Sequence, residues 1–290
     1  MSNSIFNCKN FGQEANLSHD RLESPLTPLS KLPGHPMTAP DKDRKYLSNS
    51  LLRGLRILEA FGAGRSQMTL SQIAEEIAVT SSAAFRFVHT LEQEGFLIKD
   101  GDDRSYRLAP RVMELGYSYI KSLDISDVAR NPARLLRDTT GFSVHVSVLE
   151  GTEVVYVYRA MSPRPMVSNI PVGSRLPAFA TSMGRVMLCS LSDEELDRRF
   201  QGYGFTRFTP RTIGSLKELK AALEEDRARG YVAQESQLAE GTFAIAAPIR
   251  ERDGHVIGAI NVSGHRTQLR PNARLIATVR ACADQISEMQ

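Results

Sequence analysis

The chain has 290 residues, 41% hydrophobic and 24% charged, which suits about two globular units and excludes wholesale disorder and collagen-like repeats. No run approaches the roughly 18 apolar residues of a membrane span, and the opening MSNSIFNCKNFGQEA has neither a basic nor an apolar signal region, so a cytoplasmic protein with no membrane partner is expected. The net charge of +3 divides into +1 over residues 1–46 (6 basic, 5 acidic), −1 over 47–108 (7 and 8) and +3 over 109–290 (23 and 20), so a nucleic-acid reading must rest on where charges sit.

Residues 1–46 hold Pro25, Pro28, Pro33, Pro36 and Pro40 without a sustained apolar period, and read as a disordered tail. Met37 is an alternative start within it, and its end carries a small basic arm, Arg44-Lys45. Helical spacing begins after Ser48, with Leu51, Leu55, Leu58 and Phe61 as the expected buried stripe and Gly62 and Gly64 as the stop. Thr69 and Gln72 have capping-box spacing for a second helix, LSQIAEEIA. After the short turn Ala78-Val79, Thr80 caps a third, SSAAFRFVHTLEQEG, with Ala84, Phe87 or Val88, and Leu91 facing inward. FLIKD and SYRLA around Gly101 read as a hairpin. Three helices and a hairpin over 47–108 spell a winged helix-turn-helix.

Pro110 opens a helix over 109–122 that reads as a linker, and residues 123–290 form a second unit. There DISDVARNPARLLRDTTG is helical with a kink or break expected at Pro132, and FSVHVSVLEG and TEVVYVYRA form a hairpin about Glu150-Gly151. Three helices follow: ATSMGRVMLCSL, SDEELDRRF with a Ser192–Glu195 capping box, and SLKELKAALEEDRARG with Leu216, Leu219 and Leu223 inward. A strand pair turning at Asp253-Gly254 and a last helix, NARLIATVRACADQISEM, end the chain. Strand pairs separated by helices imply an α+β fold with a mainly antiparallel sheet. Cys189 and Cys282 fall in apolar helical surroundings and read as inert buried thiols; with Cys8 they are too scattered for a disulfide framework or a metal site.

Placing the third helix's apolar positions inward leaves Ser81, Ser82, Phe85, Arg86 and His89 outward, with no acidic residue from Thr80 through Leu91. A helix entering the major groove needs such a face, since carboxylates there would be repelled by phosphate. Arg86 suits a bidentate guanine contact, Ser81 or Ser82 suits phosphate or a base at the helix start, and Thr80 and His89 are further contact candidates. Arg104 and Ser105 sit where a wing would touch the backbone, and Arg44 and Lys45 where an arm would enter the minor groove. The alternative is a helical module that binds protein.

These segments resemble the IclR family of bacterial regulators. The resemblance is carried by SLLRGLRILEAF, LSQIAEEIAVTSSAAFRFVHTLEQEGFL, SYRLAPRVMELG, GSRLPAFATSMGRVML, EGTFAIAAPI and GHVIGAINVSG. LPAFATSMGRVML is most similar to the branch controlling protocatechuate, 4-hydroxybenzoate and β-ketoadipate catabolism. The resemblance implies a homodimer or a dimer of dimers on a double-stranded DNA operator, with a GAF-like second domain sensing a small carboxylated, aromatic effector. It implies that Ala180, Thr181, Ser182, Met183, Gly184 and Arg185 hold that effector, with Glu235, Asn261 and Ser263. The family usually has a basic residue at Ser81 and often a polar or basic one at Phe85, so the operator sequence stays open.

A helix start offers free N–H groups to a carboxylate, and Arg185 would add charge. Asn261 and Ser263 share a strand face, as do Ser143, His145 and Ser147, with Tyr158 on the partner strand; His145 and Tyr158 suit a cavity wall, solvent or the core. Enzyme readings find no GxSxG, HExxH, GxxxxGK[ST] or GxGxxG motif, although Ser182, His255 and Glu235 form a triad on paper. No catalytic role and no cofactor is expected. A purely dimerising second domain is the remaining alternative.

Overall fold

The structure is a computed structural model, and residues 46–61, 65–101, 104–162 and 170–290 are described. Arg44, Lys45, Gly62 and Gly64, and almost all of the 1–46 segment, lie outside them. Among the described residues no helix is long and apolar enough to cross a membrane.

The first unit is α1 (Asn49–Ala60), β1 (Met68–Thr69), α2 (Leu70–Glu76), α3 (Ser81–Gln93), β2 (Leu97–Lys99) and β3 (Ser105–Leu108), with an antiparallel sheet in the order β1-β3-β2. Local chemistry sets the boundaries. Thr69 and Gln72 complete a capping box, Thr69 Oγ1 accepting from the Gln72 amide while Gln72 Oε1 accepts from the Thr69 amide, and Thr80 Oγ1 accepts from the Ala83 amide to start α3. Ala78, in the turn between them, has φ +52°, a left-handed conformation costly for a side chain. The core joins Ile57, Phe61, Met68, Ile73, Ala84, Val88 and Leu97.

α1 departs from expectation. Its buried face is Ile57 and Ala60, continued by Phe61, whereas Leu51 is 63% exposed and Leu55 is also exposed. The helix is apolar on two sides, and periodicity cannot tell which side meets the core. α4 (Arg111–Lys121) buries none of its residues, and Met113, at 76% exposure, Leu115, Tyr117 and Tyr119 face outward.

The second unit begins with α5 (Asp124–Val128) and α6 (Arg130–Thr140); the expected break falls at Ala129, just before Pro132, which sits in the first turn of α6. β4 (Ser143–Glu150) and β5 (Glu153–Ala160) form the hairpin, with Gly151 at φ +61° in its turn. β6 (Arg175–Pro177), a 3-10 turn (Ala178–Ala180), α7 (Ser182–Leu188), α8 (Asp193–Arg199) and α9 (Leu216–Arg229) follow. β7 (Val232–Glu235), β8 (Thr242–Arg250), β9 (Val256–His265) and α10 (Ala273–Glu288) complete it. At α8, Ser192 Oγ accepts from the Glu195 amide, half of the expected capping box.

The six strands pair antiparallel in the order β6-β5-β4-β9-β8-β7. One face carries Val144, Val146, Ile260 and Val262 against α6 and α10; the other meets α7 and α9 through Val154, Tyr156, Val232 and Ala259. Because β4 and β9 are central and covered on both faces, their polar residues Ser143, His145, Ser147 and Asn261 are buried as well.

Candidate functional site

The outward face of α3 has Ser81, Ser82, Phe85, Arg86 and His89 exposed, opposite buried Ala84 and Val88. The Phe85 and His89 rings stack one helical turn apart, centroids 5.7 Å and planes 9° apart. At the helix start the Thr80 and Ser82 hydroxyls lie 3.1 Å apart and are exposed. In the wing Arg104 is exposed, at φ +51°. Ser105 departs from expectation. It lies in the central strand β3 opposite Thr69, is 5% exposed, and its hydroxyl has no partner among the described residues, so it cannot reach a duplex. It pairs with Thr69 of β1 and turns its side chain inward, away from solvent. The wing's exposed cations are Arg104, Arg107 and Lys99, the last two missed because alternation in so short a hairpin does not reveal its outer face.

In the second unit a cavity of about 80 Å3 opens between the central strands, the start of α7 and the 236–239 loop. His145, Ser182, Asn261, Thr181 and Ser263 line it, with Ala180 beside them. His145 and Asn261 are cross-strand partners, so Nδ1 of the imidazole meets the Asn261 Oδ1 at 3.1 Å, while Asn261 Nδ2 donates to Ser182 Oγ at 3.4 Å. With the amide assigned that way round, Nδ1 carries the imidazole proton. Tyr156 sits edge-on to the His145 ring. Burial pushes His145 down to about 4, against the Asn261 hydrogen bond and with Arg159, while burial raises the Tyr156 hydroxyl.

Five expected contact residues lie elsewhere. Tyr158 packs among the α6-side core, with the Arg130 guanidinium over its ring. A bulge in β5 is the cause: Ser147 pairs with Tyr156 and Val146 with Tyr158, which makes Val157 an extra residue, reverses the alternation and leaves Tyr156 on the cavity wall. Glu235 is turned away from the cavity and paired to Arg266 at 3.1 Å; its neighbour Gln234 lines the wall, with Nε2 donating to the Ala180 carbonyl. Along β7 Gln234 shares a face with Val232, which packs beneath α7.

Arg185 points from α7 to Asp226 of α9, donating through Nε at 2.9 Å and through Nη2 to the same Oδ2. Burial raises the Asp226 carboxyl and Arg185 opposes that. Met183 is wholly buried in the core beneath the sheet, and Gly184 lies against the backbone of Ala178. These three shape the wall from behind, because only the first residue of α7 faces the space. Among the described residues no Lys or Arg lines the cavity, and the polar groups they bring to it are hydroxyls, amides and imidazoles. Among the described residues no cluster of His, Cys, Asp or Glu could hold a metal ion. Burial pushes the Cys189 thiol up to about 12 and the Cys282 thiol up to about 11, as inert cysteines require.

Residues 50–101 match the IclR helix-turn-helix domain, and residues 117–288 match the model described as bacterial transcriptional regulator IclR C-terminal. The chain belongs to the IclR family. The Pca regulon regulatory protein of Pseudomonas putida is 32% identical over 217 residues, 74% of this chain and 74% of that protein. The p-hydroxybenzoate hydroxylase transcriptional activator of Acinetobacter baylyi is 31% identical over 242 residues, 82% of this chain and 89% of that protein. An IclR homolog from Microbacterium hydrocarbonoxydans, solved with 4-hydroxybenzoate, superposes with a TM-score of 0.73 at 27% identity, covering 82% of this chain and 98% of that one. This IclR-family chain is a DNA-binding transcriptional regulator and not an enzyme: the relatives it matches are named regulators, and its first unit matches the family's helix-turn-helix domain.

Proposed function

We propose that this regulator senses a monocyclic aromatic acid in its second unit and changes its grip on a double-stranded operator in response. The observation that carries the reading is the buried chain His145–Asn261–Ser182 in a cavity wall that mixes polar and apolar side chains. Thr181, Ser182, Asn261, Ser263 and His145 are the contact residues. The carboxylate is met by hydroxyls and amides, since Arg185 is committed to Asp226. The name of the Acinetobacter relative and the 4-hydroxybenzoate in the Microbacterium structure support an aromatic acid as its chemical class.

The assembly is a homodimer, or a pair of dimers, working in the cytoplasm. Its support is the apolar surface a single chain leaves in water, Leu51 and Leu55 on α1 and Met113, Leu115, Tyr117 and Tyr119 on α4. Two chains space two α3 helices to read half-sites about one helical turn, or a multiple of it, apart. The effector alters that spacing through α4 only if it binds the two conformations unequally.

The test is a melting-temperature screen of 4-hydroxybenzoate, protocatechuate and β-ketoadipate, followed by gel retardation of the promoter fragment. A ligand at about a hundred times its Kd adds about 2.7 kcal/mol to native stability. Ser182→Leu should abolish that gain and the ligand response while leaving DNA binding intact. Absence of a shift with both 4-hydroxybenzoate and protocatechuate, or a shift with the open-chain β-ketoadipate alone, overturns the aromatic effector class.

A further inference from the structure

We infer that Phe85 reads a thymine, its ring meeting the 5-methyl group in the major groove beside the Arg86 contact. The inference rests on α3 being the reading helix. Phe85 is 50% exposed although the core of this unit does not use it: α3 meets that core through Ala84 and Val88, with Phe87 and Leu91 packed alongside. Its ring lies parallel to that of His89 one helical turn on, a stack that favours one orientation of this exposed apolar surface. The same face carries Ser82 and Arg86 and no acidic residue, which favours a duplex over an apolar protein partner. In the major groove the base edges present hydrogen-bonding atoms at every pair, and the thymine methyl is the one apolar group available to a ring. A phenyl ring set among donors on a groove-facing helix therefore has one chemically matched counterpart.

The test uses the full chain and a duplex enriched by it from random sequence. Each thymine is replaced singly by deoxyuridine, which removes the methyl and keeps the base pair, and Kd is measured by fluorescence anisotropy for the wild type, Phe85→Ala, Phe85→Leu and Arg86→Ala. One thymine per half-site should lose about three- to fivefold in wild-type affinity on conversion to uracil, the size expected for one buried methyl. Phe85→Ala should bind the thymine duplex more weakly by a similar factor and be indifferent to uracil, while Phe85→Leu keeps part of the discrimination. Wild-type indifference to every uracil, or discrimination surviving in Phe85→Ala, overturns the assignment; so does a change in oligomer mass in Phe85→Ala with no change in thymine preference, which would give the ring a protein partner. Failure of the underlying reading looks different: no sequence is enriched, or Arg86→Ala weakens the enriched and an unrelated duplex equally.

Discussion

Burial holds the His145 imidazole neutral at physiological pH, its pKa pushed down from 6.5 to about 4, so in acid the unfolded chain binds a proton that the native chain does not. Between those values native stability falls as pH falls, by at most about 1.4 kcal/mol per pH unit from this group, and above them it contributes no slope. Urea unfolding from pH 7 to 4.5 should show a shallower decline in His145→Gln than in the wild type; parallel declines would mean that another group carries the acid sensitivity. The Arg185–Asp226 pair makes a second residue-level case. Removing the cation alone in Arg185→Met leaves a carboxylate with no exposure paired, among the described residues, only to Arg229 at 3.9 Å and should cost about 2–4 kcal/mol, read as a lower urea midpoint. The double variant Arg185→Met, Asp226→Leu should recover most of the loss, whereas an effector-binding arginine would leave stability nearly unchanged. Sequence reasoning could see Arg185 at a helix start, but its partner lies 41 residues away on α9.

Elements were the most legible layer, because caps and turns are local chemistry. Thr69, Thr80 and Ser192 start helices where their side chains reach the third amide onward, and Gly151 and Gly254 turn hairpins with positive φ. α7 shows where local rules give the wrong sign. Replacing a helical glycine by alanine ordinarily gains about 1 kcal/mol. At Gly184, however, the added Cβ would lie 2.2 Å from the Ala178 carbonyl oxygen, so the 3-10 turn or α7 must move. Gly184→Ala should therefore lose about 1–3 kcal/mol, checked by thermal unfolding; a gain would mean that the two segments separate easily. The bulge at Val157 is the other element that sequence hid. Alternation through EVVYVYRA reads smoothly, and only pairing with β4 shows the extra residue that exchanges Tyr158 for Tyr156 at the cavity.

At the scale of the whole molecule, the proposed homodimer or pair of dimers would cover the exposed apolar faces of α1 and α4. Leu51→Glu with Leu115→Glu should halve the mass measured by light scattering and weaken operator binding by lowering valency, since each particle then carries half as many reading helices. Unchanged mass would assign those faces elsewhere.

The winged helix-turn-helix, the α+β second unit and the acid-free outer face of α3 were determined by the sequence alone, since capping, glycine turns and periodicity act over a few neighbouring residues. Tertiary structure alone decided which side of α1 is buried, that Ser105 is sealed within its sheet, and that Gln234 rather than Glu235, Tyr156 rather than Tyr158, line the cavity. It also turned Arg185 to Asp226. Each depends on strand register or on a partner far along the chain, and a displacement of one residue along a strand points a side chain to the opposite face.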